Sequence, residues 1–284
     1  MIRFALPGDH APLKTLWTEA FGDPPEAVDA YFAKRHEDRN MLVDARDGTV
    51  AGMLTMLPVT LAADGGRTFP ARYIFAVATA ERYRRLGVST GLLEAAHARI
   101  REAGEAAAVL VPATPELFAF YGKRGYRTAF SLSEMTLTAE ELPPCPKNGR
   151  AAAVHAADYT RVRDLAFRGS RLYARWDEAA VAYALGTFAE AGGAAVISWD
   201  GGEGCAVWDR EENGVSVREL ALASGDAATA LAVLHELLQA RRYTVRLPEG
   251  TVPGAAPKPY GMIRWLISEP ALAGKPAYIG LAKD

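Results

Sequence analysis

Residues 83–91, YRRLGVSTG, combine a possible nucleophile with a possible anion site. GVSTG matches G-x-S-x-G, the tight turn that presents a nucleophilic serine between a strand and a helix, with Ser89 as the nucleophile. That turn requires the strand to run directly into the glycine, and here the polar segment TAERYRRL separates an apolar strand from Gly87. Arg84 and Arg85 also disfavour an imidazolium beside Ser89, and His97 lies two turns along the same predicted helix. Serine hydrolysis is therefore the weaker interpretation.

The same segment suits phosphate. The start of a helix carries unsatisfied N–H groups and a partial positive charge, so it accepts an anion. Gly87 lets a ligand approach the backbone, the small Ser89 leaves the amides open, Thr90 can donate its hydroxyl, and Arg84 and Arg85 add full charge. These residues favour a pyrophosphate over an ordinary helix that follows a solvated basic loop.

A second motif, FYGKRGY at residues 120–126, puts a tyrosine on a short helix that a glycine ends. With it, the sequence resembles the GNAT superfamily of N-acetyltransferases, whose hallmark is V-x-x-x-x-x-Y-R-x-x-G-x-G/A-x-x-L followed by F-Y-x-x-x-G-F/Y. The matching residues are Val77, Thr79, Tyr83, Arg84, Gly87, Ser89 and Leu92, then Phe120, Tyr121, Gly125 and Tyr126. Ser89 departs from the usual glycine or alanine, a change that its small size should allow. The resemblance covers about residues 1–139.

The resemblance implies an acetyltransferase that uses acetyl-CoA as co-substrate and passes the acetyl group directly to an amine in a ternary complex. Tyr121 matches the general acid that protonates the leaving thiolate, a sensible role because a thiol has a reference pKa near 8.5. Tyr126 is expected in the core. Backbone groups of Val77 and Thr79 would hold the cofactor along the strand. The pyrophosphate would lie beside Arg84 and on the N–H groups of Arg85, Leu86, Gly87, Val88, Ser89 and Thr90.

The general base stays open at this point. Glu81, Glu116 and Glu134 are each plausible by position, and water-mediated deprotonation of the amine is equally plausible. The identity of the amine also stays open, as a small molecule or a peptide. A non-catalytic acyl-CoA-binding or sensor protein is the main alternative function.

The elements that position these residues follow an α/β order with a mixed sheet. The pattern predicts a strand at residues 1–6, a helix that Asp9 could cap, a second helix over 25–36, and strands over 41–45, 50–62 and 72–78. A helix then starts at Val88, with Leu92, Leu93, Ala96 and Ile100 on its apolar face. A strand, a short helix and strands over 126–137 close this unit.

Residues 141–150, ELPPCPKNGR, predict a linker between a catalytic domain at 1–140 and a second domain at 151–284. The second domain repeats the strand-strand-strand-helix-strand order, which predicts a tandem unit of the same GNAT fold. Its helix follows SGD, where Asp226 would repel phosphate, so this unit is expected to be degenerate. The arrangement is similar to the enhanced intracellular survival group, without room for that group's sterol-carrier-like domain. Whether Asp284 takes that group's catalytic terminal role is left open.

The second unit is expected to line the acceptor site, with four aromatic residues either stacking on the amine or packing in the core. Core packing is the better expectation for residues in predicted strands. The four residues are Tyr173, Trp176, Trp199 and Trp208.

Composition limits the remaining options. A net charge of -2 over 284 residues does not suit a general nucleic-acid binder, and no apolar run is long enough to span a membrane. Cys145 and Cys205 lie far apart, and the opening residues lack a signal-peptide core, so we expect a reduced cytoplasmic enzyme without a structural disulfide. Its oligomeric state is open, with a homodimer as one option.

Overall fold

A computed structural model describes residues 1–281 of the chain, which contain thirteen strands and seven α-helices. In chain order they are β1 (Ile2–Phe4), α1 (His10–Phe21), α2 (Pro25–Lys34), β2 (Met41–Arg46), β3 (Thr49–Ala62), β4 (Thr68–Thr79), α3 (Val88–Glu102), β5 (Ala107–Leu110), α4 (Pro115–Gly122), β6 (Arg127–Thr138), β7 (Arg150–Ala152), α5 (Ala156–Ala166), β8 (Tyr173–Arg175), α6 (Glu178–Ala191), β9 (Gly192–Trp199), β10 (Gly202–Glu211), β11 (Gly214–Ser224), α7 (Ala227–Leu238), β12 (Arg242–Pro248) and β13 (Lys258–Trp265).

The chain divides into two compact units. The first contains Met1–Thr60, Phe69–Arg127 and Met262–Pro270, and the second contains Leu61–Thr68, Thr128–Gly261 and the residues from Ala271 onwards. Each unit has parallel and antiparallel strand pairs, which confirms the α/β class with a mixed sheet. The division of the chain into domains at 1–140 and 151–284 stays a prediction.

In the first unit, β1, β2 and β3 pair antiparallel, and β4 pairs parallel with β5 across the α3 connection. The apolar face of α3 packs as predicted, because Val88, Leu92, Leu93, Ala96 and Ile100 are all buried. Together with Ile74, Leu110 and Tyr121 they form one core cluster. This core fixes the start of α3 against the end of β4.

The strand beside β5 comes from a distant part of the sequence. Met262–Trp265 of β13 pairs antiparallel with Ala107–Leu110 of β5. Strand β6, which was predicted to close the first unit, belongs to the second unit from Thr128 onwards and pairs there with β12. The expectation that β6 closes the first unit was wrong, because strand pairing is non-local and cannot be read from residues that are neighbours in sequence.

Asp9 does not cap α1. Its carboxylate receives two hydrogen bonds from Arg3, at 2.6 and 3.0 Å, and one from the Leu6 N–H at 2.8 Å. No side chain caps the first turn of α1. The Arg3 guanidinium and the Leu6 N–H hold the pKa of Asp9 below its usual value. The aspartate thus closes the turn before the helix.

The second unit repeats the strand-helix-strand order. Strands β9, β10 and β11 pair antiparallel, and β11 then pairs parallel with β12 across α7. This is the connection that β4, α3 and β5 make in the first unit. The helix α7 is more apolar, with Ala230, Leu231, Ala232, Val233, Leu234 and Leu238 all buried.

A buried ion pair ties α5 to β11 in this unit. Arg163 is 2 % exposed and Glu219 is fully buried, and the Arg163 Nε lies 3.0 Å from the Glu219 Oε1. The Tyr159 hydroxyl donates to the same oxygen at 2.9 Å. The pairing and the Tyr159 hydrogen bond offset part of the cost of removing both charges from water. Cys145 and Cys205 are free thiols.

Candidate functional site

The turn between β4 and α3 leaves the start of the helix open. Gly87 precedes the first helical residue with φ 77° and ψ 7°, and no side chain of the described residues caps α3. Arg85 also has a positive φ, 66°. Left-handed residues turn successive amides toward one side, and the first N–H groups of a helix lack partners within the helix. The result is a concentration of free donors at Val88, Ser89 and Thr90.

Exposure along this turn matches an anion site. Arg84, Arg85, Leu86 and Gly87 are exposed, Ser89 and Thr90 are half-buried, and Val88 is buried in the core. A Cβ added at Gly87 would meet no atom within 4 Å, so glycine is required there by its backbone conformation and not by crowding. Leu86, which directly precedes Gly87, has an apolar side chain that is 59 % exposed.

The C-terminal part of β4 does not pair with β5. Tyr73 is the last β4 residue paired with β5, although β4 continues to Thr79. Ala76 has φ 49°, which breaks the extended backbone of the strand immediately before Val77. A strained non-glycine residue of this kind is typical of a functional strand. Val77 and Thr79, both half-buried, follow this break and lie beyond the last β4 residue that pairs with β5.

Ser89 has a partner that does not activate it. Its hydroxyl lies 2.8 Å from the hydroxyl of Thr79, so the pair joins the end of β4 to the first turn of α3. A serine nucleophile needs a general base within hydrogen-bond reach. No base hydrogen-bonds to Ser89 in the part of the chain that the structure describes. This arrangement argues against the serine hydrolase interpretation.

Tyr121 lies on α4 and is 8 % exposed, in the core cluster that also contains Val88 and Leu92. Its ring makes edge contacts with Phe120 and Tyr126, at centroid distances of 5.1 and 5.7 Å. Its hydroxyl has no hydrogen-bond partner among residues 1–281. Burial raises the pKa of Tyr121 to about 12, against an opposing effect of Arg124. The phenol therefore holds its proton at neutral pH.

Arg124 links α4 to the open start of α3. Its guanidinium stacks on the Phe120 ring at 3.5 Å and hydrogen-bonds to the Thr90 hydroxyl. One N–H also donates to the Phe120 carbonyl at 2.6 Å. Sequence reasoning quoted this residue within YGKRGY without assigning it a role. The basic pair inside that motif was the signal that could have found it.

A cavity of about 480 Å³ adjoins this arginine. Lys123, Arg124 and Arg264 bring three positive charges to it, against one carboxylate from Glu94. The rest of the lining comes from α3 and the turn after α4: Thr90, Leu93, His97 and Gly125. An excess of cations beside a helix start suits a phosphorylated ligand.

His97 is a structural residue of the first unit. Arg264 donates to its Nδ1 at 2.9 Å, so the ring proton is on Nε2, which donates to the Tyr126 hydroxyl at 2.8 Å. Burial, together with Arg264 and Arg101, lowers the pKa of His97 to about 3. A neutral histidine fixed in this way holds Tyr126 in the core, as expected for Tyr126.

The three candidate bases lie in different places. Glu81 is exposed on a groove of about 760 Å³ that Arg3 and Asp9 also line. Glu116 is exposed in the first turn of α4, where the Thr114 hydroxyl lowers its pKa. Glu134 is exposed on β6 and pairs with Lys258 at 3.1 Å. No contact joins any of them to Tyr121, so the base stays unassigned.

The helix of the second unit that corresponds to α3 in strand order, α7, has a capped start. Asp226 caps α7, accepting hydrogen bonds from the Thr229 N–H at 3.0 Å and the Thr229 hydroxyl at 2.8 Å. These bonds lower the pKa of Asp226. The carboxylate thus occupies the position that an anion would take at α3. Asp284 lies outside the described residues.

The four aromatic residues of the second unit pack within it. Trp208 is 4 % exposed and belongs to the core cluster of β9, β10 and α7, with Trp199 at its margin. Trp176 donates to the Gly280 carbonyl at 2.8 Å. The Tyr173 hydroxyl donates to Asp164 at 3.1 Å. This packing agrees with the expectation of core roles.

Comparison with known proteins found a family match in the N-terminal part of the chain. Residues 1–129 match the family model of the acetyltransferase (GNAT) domain. A comparison with curated proteins found no significant match in sequence. No helix of the described chain combines the length and apolarity needed to cross a membrane.

Three solved structures share the fold. A GCN5-related N-acetyltransferase from Anabaena variabilis has a TM-score of 0.77 and 18 % identity, covering 94 % of this chain and 73 % of its own. A probable N-acyltransferase from Enterococcus faecalis has a TM-score of 0.73 and 16 % identity, covering 94 % and 72 %. Eis1 from Mycobacterium abscessus has a TM-score of 0.70 and 16 % identity, covering 94 % and 74 %. At these identities the likeness concerns the fold.

Proposed function

We propose, on the premise that residues 1–129 form an acetyltransferase (GNAT) domain, that the chain transfers an acetyl group from acetyl-CoA to a primary amine. The amine belongs to a small molecule or a peptide, and the transfer takes place directly in a ternary complex. The observation that carries the proposal is the uncapped, glycine-preceded start of α3 beside the parted end of β4. These two features offer backbone donors where a phosphate and an extended chain would bind together.

The strand edge fits the pantetheine arm. Backbone N–H and C=O groups that leave a sheet need new partners. Past Tyr73, those of Val77 and Thr79 are available on the β5 side of β4, and an amide-containing chain can pair with them as a further strand would. The Thr79 hydroxyl is held by Ser89, so the end of this edge is fixed.

The open turn fits the pyrophosphate. The turn has two left-handed residues, and its N–H groups from Arg85 to Thr90 are proposed as donors except that of Leu86, which donates to the Tyr83 carbonyl at 3.4 Å. Arg84 and Arg85 are exposed beside them. Phosphate at such a site gains from both the free amides and the helix dipole. Serine at position 89 in place of glycine or alanine is accommodated because its hydroxyl turns to Thr79.

The basic cavity fits the 3′-phosphorylated adenosine. It begins at Thr90, in the same helical turn as the pyrophosphate donors, and contains Lys123, Arg124 and Arg264. Arg124 and Arg264 are held by hydrogen bonds within the unit, whereas Lys123 is exposed. We therefore assign the contact with the 3′-phosphate to Lys123.

Bound acetyl-CoA supplies an activated acetyl thioester. The amine nitrogen forms the new bond to the acetyl carbon as the carbon-sulfur bond breaks, and the Tyr121 hydroxyl gives its proton to the departing sulfur. Tyr121 suits this role because it stays protonated to about pH 12 and its hydroxyl is free of other described partners. The amine loses one proton to water or to a carboxylate, and a proton from water returns to the Tyr121 oxygen before the next turnover.

The remaining parts of the proposal concern the second unit and the location. We infer that residues 151–284 are a degenerate unit of the same fold, since Asp226 blocks the helix start that would bind phosphate. A cytoplasmic location is supported by two free cysteines.

The test compares Tyr121→Phe with Tyr126→Phe, since each removes one hydroxyl from a neighbouring ring of the same core. We measure thiol release from acetyl-CoA against a panel of primary amines, and acetyl-CoA binding by calorimetry. Tyr121→Phe should bind acetyl-CoA normally and release thiol about 100-fold more slowly or worse, the usual size of a general-acid contribution. Tyr126→Phe should keep its rate.

An equal rate in the two variants would remove Tyr121 from the mechanism. If the wild-type protein binds acetyl-CoA and releases no thiol with any amine, the chain is an acyl-CoA sensor and the proposed activity is wrong. Labelling of Ser89 by a fluorophosphonate would instead support the hydrolase.

A further inference from the structure

A cluster of two histidines and an aspartate lies in the first unit, outside the motifs that bind the cofactor. His10 is the first residue of α1, His36 follows the end of α2, and Asp38 begins the short 3₁₀ turn before β2. The His10 Nε2 lies 2.7 Å from the Asp38 Oδ1, and the His36 Nε2 lies 2.8 Å from the same oxygen. One ligand atom from each of the three residues falls within 4.8 Å of the others.

We propose that His10, His36 and Asp38 form a binding site for a borderline divalent cation of the Zn²⁺ type. Two imidazole nitrogens and one carboxylate oxygen are ligands that Zn²⁺ accepts in proteins, with a water molecule as the fourth ligand. Hard cations such as Mg²⁺ prefer oxygen ligands alone and should not bind here.

The spacing requires little movement. Ligand atoms of a tetrahedral zinc site lie about 2.0–2.2 Å from the metal, and therefore about 3.3–3.5 Å from one another. The two nitrogen-oxygen distances of 2.7 and 2.8 Å need to increase by about 0.5–0.8 Å. The two rings already point their Nε2 atoms at a common centre.

Aromatic packing holds the rings in this orientation. The Phe32 ring stacks on His36 with a centroid distance of 4.4 Å and an angle of 23°. It also contacts the edge of His10 at 5.7 Å. The backbone N–H of His36 donates to the Tyr31 carbonyl at 3.0 Å, and this bond fixes the backbone at the end of α2. A site whose ligands are positioned before binding loses little entropy when the metal binds.

A change of tautomer in His10 and His36 allows a metal ion to replace their hydrogen bonds to Asp38. While each Nε2 donates a proton to Asp38, neither nitrogen can bind a metal, so each proton must move to Nδ1. The His36 Nδ1 is buried and has no hydrogen-bond partner among the described residues, so no existing bond is broken there. Two neutral histidines and one carboxylate carry a single negative charge, which a divalent cation compensates.

Access is from one side. The side chain of His36 is 4 % exposed, whereas those of His10 and Asp38 are 38 % and 33 % exposed. A cation can therefore enter past His10 and keep a water ligand on that side. A structural role without metal is the competing explanation, in which Asp38 only joins the end of α2 to the start of α1.

The experiment uses the full chain after treatment with a chelator and dialysis. Titration with Zn²⁺ should show one site per chain with a Kd of about 10 µM or tighter, and the melting temperature should rise on binding and fall when chelator is added. Co²⁺ in place of Zn²⁺ should give the visible absorption of a tetrahedral nitrogen-oxygen site. Mg²⁺ should have no effect at the same concentrations.

Variants separate this site from stray binding. His10→Ala and Asp38→Asn should each weaken Zn²⁺ binding at least tenfold and abolish the Co²⁺ spectrum. His155→Ala and Cys145→Ser are matched controls, because these residues are also metal ligands by type but lie outside the cluster, and both should bind Zn²⁺ as the wild type does. Absence of Zn²⁺ binding by the wild type up to 100 µM, or unchanged binding in His10→Ala and Asp38→Asn, would overturn the proposal.

Discussion

Gly87 offers a test of the anion site through charge alone. Its N–H precedes the free amides of α3, and a Cβ there meets no atom within 4 Å, so Gly87→Asp and Gly87→Asn both fit. Both variants adopt a left-handed backbone at a cost of about 1 kcal/mol, which Asp and Asn tolerate better than other residues. They should therefore fold with equal, slightly reduced stability. They differ only in the charge they present to a bound pyrophosphate.

The size of the difference follows from Coulomb's law. Two like charges about 4 Å apart repel by about 1 kcal/mol in water and about 4 kcal/mol at the effective dielectric constant of a protein surface. Because Gly87 is exposed, we take a value between these limits, about 2 kcal/mol, or about a 30-fold weaker Kd for Gly87→Asp than for Gly87→Asn.

The measurement is calorimetric titration of each variant with acetyl-CoA at low and high salt. The difference between the variants should shrink as the salt concentration rises, because exposed charges are screened. Thermal melts of both variants provide the control for folding. Equal affinities in Gly87→Asp and Gly87→Asn at low salt would refute the placement of the pyrophosphate on this turn.

Three further predictions follow from the structure. Because the pKa of Tyr121 is raised to about 12, kcat should show no loss from tyrosine ionisation between pH 7 and 10. The same shift stabilises the folded state fully below pH 10, and this stabilisation is lost as the pH rises toward 12. Urea unfolding at a series of pH values measures that loss. Glu219→Ala leaves the buried Arg163 unpaired and should cost about 3–5 kcal/mol of unfolding free energy in urea titrations. Glu203→Ala, which removes the half-buried partner of the exposed Arg161, should cost less than about 1 kcal/mol. Lys123→Ala should weaken CoA binding several-fold and leave the binding of dephospho-CoA unchanged; an equal loss for both ligands would exclude a contact with the 3′-phosphate.

Local patterns were sufficient for the central part of the first unit. The apolar spacing of Val88, Leu92 and Ala96 predicted α3, and the glycine before it predicted an open start, which the structure has. Pro115 and the aromatic run predicted α4, with Gly125 at φ 82° in the turn after the helix. These features depend on residues that are neighbours in sequence, so periodicity and glycine chemistry could reveal them.

Features that depend on distant residues were not predicted. Arg264 reaches His97 and the basic cavity from a strand more than 160 residues away in the chain. The strain at Ala76 could not be foreseen, since alanine ordinarily avoids a positive φ. Asp9 was misassigned because Arg3 competes for its carboxylate. The short strands β7 and β8 are each three residues long, too short for an alternating pattern.

The contrast between the two helix starts gives a physical account of why one unit is expected to bind the cofactor. A glycine precedes α3, and no side chain accepts a hydrogen bond from its first amides within the described residues. At α7 the Asp226 side chain accepts a hydrogen bond from the Thr229 N–H. An aspartate cap stabilises a helix by about 1 kcal/mol, which α3 forgoes.

The most direct test of the central claim is calorimetric titration of the wild-type chain with acetyl-CoA, with Arg84→Glu as the comparison. The account predicts one site per chain with a Kd below millimolar, and loss of that binding in Arg84→Glu, whose carboxylate would face the pyrophosphate. Absence of binding by the wild type at sub-millimolar concentration, or unchanged affinity in Arg84→Glu, would contradict it.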